Sequence, residues 1–188
     1  EWRAQIDTAL AAGIDVTHLD AHMGSALGPE WCDRYIKVGI DYDIPVLLTR
    51  TLSSYGPNNH LVGVDDADFD RFVTQAQAAG MPVFDEVLET DFSRPRDVPT
   101  AYEDMLTTPE VLAHGLVFCA FHPCAPGPGE IEVIEPDCWH VRTDEYAFFA
   151  TDEWLAVLDA HPFELTTMKE LRADYWAARQ ALADAPPA

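Results

Sequence analysis

The chain has 188 residues, 48% of them hydrophobic, and 11 basic against 33 acidic residues give it a formal net charge of -22. That length is enough to bury one core and is read as a single domain spanning residues 1–188. The charge repels nucleic acid and anionic membrane surfaces, and no stretch approaches the roughly 20 apolar residues of a membrane span.

Trp2, Ile6, Ala9 and Leu10 recur at helical spacing ahead of Gly13, so a helix is already running at residue 1. A strand is expected over Ile14 to Leu19, then a helix from about Pro29 that carries Tyr35, Ile36 and Val38 and stops at Gly39. Val46 to Arg50 reads as the second strand. A turn-rich loop through Gly56 to Asn59 leads to a helix opened by Asp65 and Asp66, lined by Phe69, Phe72, Val73 and Ala76, and stopped by Gly80.

Val83 to Leu88 is the third expected strand, and Phe92 to Pro99 a loop. Short helical turns are expected at Tyr102 to Leu106 and Pro109 to Leu112. Gly115 to Phe121 is the clearest buried strand, ending in His122-Pro123-Cys124 and the proline- and glycine-rich loop Ala125 to Gly129. Helices follow near Asp144 to Phe149 and Thr151 to Ala160. A short strand near Phe163 to Thr166 precedes a last helix, which opens with the capping-box pattern Thr167-Met168-Lys169-Glu170, and Ala-Pro-Pro-Ala forms a frayed tail.

Strands alternating with helices imply a parallel sheet, and the expected fold class is α/β, a deformed TIM-like (β/α) barrel. Only about five strands are visible, where a closed barrel has eight and about 250 residues. The expectation is therefore that N-terminal strands lie outside this sequence, leaving Ile14 to Leu19 and Phe163 to Thr166 without neighbours. Cys32, Cys119, Cys124 and Cys138 form no CxxC pair and read as free thiols in a reducing compartment, with the cytoplasm as the expected location.

The chemistry is concentrated in Thr17-His18-Leu19-Asp20-Ala21-His22-Met23-Gly24. If the strand continues, His18, Asp20 and His22 share one face, and imidazole with carboxylate is a common ligand set for a divalent ion. A solvent-facing strand end with polar alternation gives the same pattern. His122, at the exit of the best strand with Pro123 fixing the turn, is the candidate proton donor. The alternative is a capping histidine. Arg50 is either a substrate contact or the ion-pair partner of Glu145 or Asp85. Arg142 and Glu145, three residues apart, read as a supporting pair on one helix face. Trp31, Tyr55 and Trp139 have faces suited to sugar rings but are equally core aromatics. His60, His114, His140 and His161 are assigned no functional role.

Several segments together resemble the YdjC-like family, carbohydrate deacetylases of the ChbG and HpnK types. They are Glu1, Gln5 and the Gly13 to Gly24 run with its THLDxH core, the Ile44-Pro45 strand ending in Arg50, the strand ending in His122-Pro123, and Arg142-Thr143-Asp144-Glu145. The resemblance covers most of the chain and corresponds to the C-terminal two thirds of a family member.

It implies a metal-dependent hydrolase acting on the C–N amide bonds of N-acetylated amino sugars. It also implies a divalent metal ion, magnesium or zinc, held by one Asp and two His, with the last histidine falling on His22. Asp20 would orient His22, and His18 would be a wall residue or a neighbour of the ligand. Nothing in this sequence matches the family's paired aspartates or its first ligand histidine. The family also implies a homodimer. Two other readings stand beside it: a different metal-dependent sugar-processing barrel enzyme, with further acids such as Glu86 and Glu89 as ligands, and a non-catalytic remnant lacking the N-terminal ligands.

Overall fold

A computed structural model describes residues 1–55, 61, 63–93 and 97–185. The expected turns at 56–59, His60, the middle of the loop at 94–96 and the last three residues of the tail lie outside the described residues. The chain divides into two compact units, Glu1–Glu86 with Thr166–Ala188, and Val87–Leu165.

The first unit is built on three extended stretches that pair in parallel. The N–H of Leu19 donates to Pro45 O at 2.9 Å and that of Leu47 to Leu19 O at 2.8 Å, around the bridge Leu19–Val46. On the other side Phe84 N donates to Leu48 O at 2.9 Å and Arg50 N to Phe84 O at 2.7 Å, around the bridge Thr49–Phe84. The middle stretch is therefore enclosed on both edges, and Val46, Leu48 and Thr49 are each 0% exposed. That two-sided burial explains its unbroken apolar sequence.

Helices α1 (Trp2–Ala11), α2 (Cys32–Tyr42), α3 (Asp66–Ala78) and α9 (Met168–Asp184) belong to this unit. Asp65 caps α3 by accepting from Asp68 N at 2.8 Å, and Phe69, Phe72, Val73 and Ala76 are its buried face. The capping box of α9 is formed: Thr167 N donates to Glu170 Oε2 at 2.7 Å and Glu170 N to Thr167 Oγ1 at 3.2 Å. Helix α2 does not stop at Gly39. It ends at Tyr42 and is capped by Asp43, whose φ of 57° is left-handed. Gly39 serves packing instead, because a Cβ there would lie 2.7 Å from Ile44 O and 2.8 Å from Val46 Cγ1.

The second unit is entered through β1 (Glu86–Glu89), which pairs in parallel with β2 (Val117–Ala120). Around this two-stranded sheet stand α4 (Val98–Leu106), α5 (Pro109–Ala113), α6 (Glu130–Ile134), α7 (Trp139–Phe149) and α8 (Asp152–Asp159). Helix α4 starts earlier than the sequence suggested because Pro99 sits in its first turn, where a missing N–H costs no helical bond. Tyr102, Phe121, Phe148, Phe149 and Trp154 pack ring on ring, with Tyr102 and Phe121 at 5.0 Å.

The protein is thus a mixed α/β structure, but among the described residues the strands do not close a barrel: one two-stranded sheet and two isolated bridges are formed. Ile14 to Leu19 pairs only at its end, with Ile14 57% exposed, and the Val16 carbonyl accepts from Arg172 Nη1 at 2.7 Å. A side chain of α9 thus takes that carbonyl in place of a strand. Phe163 to Thr166 is not a strand. Phe163 packs beside Leu88, Leu106 and Val111, while Leu165 is 74% exposed, so the segment lacks the two-sided cover of the stretch at Val46 to Thr49.

Candidate functional site

Strands β1 and β2 run in parallel, so their C-terminal ends emerge at one edge. The ladder continues past β1, with Thr90 N donating to Ala120 O at 3.2 Å. This sets the Thr90 hydroxyl 2.9 Å from His122 Nδ1 and 3.1 Å from the His122 backbone N. Helix α7 brings Glu145 to the same point. Its side chain is 0% exposed, and its Oε1 accepts from Thr90 Oγ1 at 2.7 Å and from the Tyr102 hydroxyl, while Oε2 accepts from His122 N at 2.9 Å. A buried carboxylate without donors would cost several kcal/mol; these donors offset that cost.

The His122 ring lies 5.5 Å from that of Phe92, and the Arg142 guanidinium sits over the same Phe92 ring, 5.1 Å from its centroid. Arg142 pairs with Glu135 at 3.0 Å and not with Glu145, so the helix-face pair expected from sequence is replaced. The hydrogen bond from the Cys138 thiol, with the Arg142 charge behind it, holds the Glu135 carboxyl below its ordinary value. Thr90 and Tyr102 were not legible as site residues in the sequence. Glu145 carries a signal of its own: it falls between Val141 and Phe148 on the buried stripe of α7, where an acid requires partners.

The residues of the THLDxH run lie in the first unit, and His122 in the second. His18 is half-buried, with Nδ1 2.9 Å from Thr17 Oγ1, and burial pushes its imidazole below the ordinary value against the opposing charge of Asp20. Asp20 is exposed. The alternation expected to align His18, Asp20 and His22 ends there, because the chain turns at His22 into a 3-10 turn, His22–Gly24, with Met23 at φ 56° and Gly24 at φ 71°. His22 is exposed on that turn. Arg50 Nε donates to Asp85 Oδ1 at 2.8 Å, the ion-pair alternative for this residue.

A divalent ion of the implied kind needs about three protein ligands in one place. Among the described residues no group of three His, Cys, Asp or Glu side chains is arranged to hold an ion. His22 is then a single donor, and these residues by themselves do not make up a metal centre. Among the described residues, too, no helix is long and apolar enough to cross a membrane.

A mixed α/β protein with histidine, hydroxyl and carboxylate gathered where parallel strands end has its polar cluster where α/β enzymes keep their chemistry. The profile of the family described as YdjC-like protein matches residues 1–160, and the chain belongs to the YdjC-like family. That family is associated with carbohydrate deacetylase activity. No curated protein matches the chain.

Proposed function

We propose that this protein is a carbohydrate deacetylase that hydrolyses the acetamido group of N-acetylated amino sugars. The observation that supports it most is His122 at a strand end, bonded through Thr90 to a buried glutamate. Hydrolysis adds water across the amide: the water oxygen goes to the acetyl carbon, the C–N bond breaks, and the nitrogen leaves as an amine after gaining one proton. His122 gives that proton. A general acid of this kind is worth about 10²- to 10⁴-fold in rate.

His22 is proposed as the ligand this chain contributes to a divalent ion, magnesium or zinc, with Asp20 and His18 beside it. Arg50 is proposed as a sugar contact through the donors not engaged by Asp85. The proposed enzyme acts in the cytoplasm, as a homodimer. Acetate release from N-acetylglucosamine oligomers, followed with added magnesium or zinc and again with a chelator, tests the reading. Release that requires the ion is expected; a chain that binds neither the ion nor the sugar and releases no acetate contradicts it.

A further inference from the structure

We infer that Glu145, acting through Thr90, is a positioning residue that fixes His122 in the Nδ1–H tautomer and so makes Nε2 the nitrogen that exchanges the proton. The Thr90 hydroxyl has one hydrogen, and among the described residues it lies within reach of Glu145 Oε1 at 2.7 Å and His122 Nδ1 at 2.9 Å, both able to receive it. A carboxylate only accepts, so the hydrogen goes to Glu145. The Thr90 oxygen is then left as an acceptor, and Nδ1 has to carry a hydrogen in order to bond to it. The same oxygen also receives the His122 backbone N–H at 3.1 Å, while Glu145 Oε2 takes that N–H at 2.9 Å, so the peptide and the ring of His122 are held by the same two side chains. Tyr102, 0% exposed, donates to Oε1 and keeps the carboxylate facing Thr90.

This arrangement does the work of the carboxylate in a Ser-His-Asp triad, with a threonine hydroxyl interposed. Nδ1 keeps its hydrogen whether the ring is neutral or charged, so only Nε2 gains and loses a proton. The catalytic use of Nε2 rests on the deacetylase reading, but the tautomer does not.

The test is long-range ¹H–¹⁵N NMR of the full chain carrying ¹⁵N-labelled histidine, recorded with the ring neutral and assigned by loss of the signal in His122→Gln. A pyrrole-type Nδ1 and a pyridine-type Nε2 are expected. Thr90→Ser should keep that pattern. Thr90→Val, which removes the acceptor, should move the ring towards the Nε2–H form that free histidine prefers.

Glu145→Gln should do the same. With its carbonyl oxygen receiving the His122 N–H, its amide donates to Thr90 and sends the Thr90 hydrogen to Nδ1. If acetate release is measurable, Glu145→Gln should lower kcat by about 10²-fold or more with KM nearly unchanged. A wild-type His122 in the Nε2–H form, or a ring unchanged in folded Thr90→Val, overturns the inference. An Nδ1–H ring in a chain that releases no acetate would instead keep the inference and contradict the deacetylase reading.

Discussion

Glu145 Oε2 receives the backbone N–H of His122 at 2.9 Å, tying the middle of α7 to the residue that follows β2 and Phe121. The bond is part-buried, and the same carboxylate holds the hydroxyls of Thr90 and Tyr102 in two buried bonds. Glu145→Ala removes the acceptor of the buried Thr90 and Tyr102 hydroxyls, and each buried group left unsatisfied costs about 1–3 kcal/mol. A loss on the order of 3 kcal/mol or more is expected in urea unfolding, as a lower midpoint at unchanged slope. A loss below about 1 kcal/mol would show that the cluster contributes little to the fold.

Helix α2 lies against the stretch that begins at Ile44 because Gly39 has no side chain: a Cβ would sit 2.7 Å from the Ile44 carbonyl. The obstacle is backbone, so it cannot rotate away. Gly39→Ala gains helix propensity of up to about 1 kcal/mol and loses more to overpacking, about 1–3 kcal/mol. A lower Tm is expected, and a Tm equal to or above the wild type would mean that the helix can move off the strand.

The elements read most reliably were those whose pattern is set by one buried face. Phe69, Phe72, Val73 and Ala76 line the inner side of α3, and Thr167 and Glu170 cap α9. Gly39 misled because a glycine that stops a helix and one that admits a neighbouring backbone look alike in sequence. The strand expected at Phe163 to Thr166 failed for a related reason: its alternation was real, but Leu165 faces solvent, and nothing local distinguishes an uncovered segment from a covered one. His122 was legible as a strand-end histidine because Val117 to Ala120 is a continuous apolar run. Its partners were not, since Thr90 and Glu145 are 32 and 23 residues away and meet it only through the parallel pairing and the packing of α7. Reading α7 from Asp144 rather than Trp139 also hid Val141, and with it the stripe on which Glu145 lies.

His18 titrates with a definite sign. Burial lowers its value in the folded chain, so the unfolded chain binds more protons between that value and the ordinary one. Stability therefore falls as pH drops through about 6.5, and is insensitive to this residue above it. Urea midpoints between about pH 7 and pH 5 should fall less steeply for His18→Gln than for the wild type. Parallel slopes for the two would show that His18 does not contribute.

The roles proposed for the two histidines separate by metal binding. In a protein that also carries the family's paired aspartates and first ligand histidine, calorimetry with zinc or magnesium should show heat for the unsubstituted chain and for His122→Ala, and none for His22→Ala. Equal loss of the ion in both variants would mean that His122 has been given the wrong role.

Acetate release by His122→Ala, compared with the wild type on N-acetylglucosamine oligomers at saturating divalent ion, tests the central claim most directly. A rate about 10²- to 10⁴-fold lower, with ion and substrate still bound, is the predicted result. An unchanged rate would contradict the assignment of His122 as the residue that gives the leaving amine its proton.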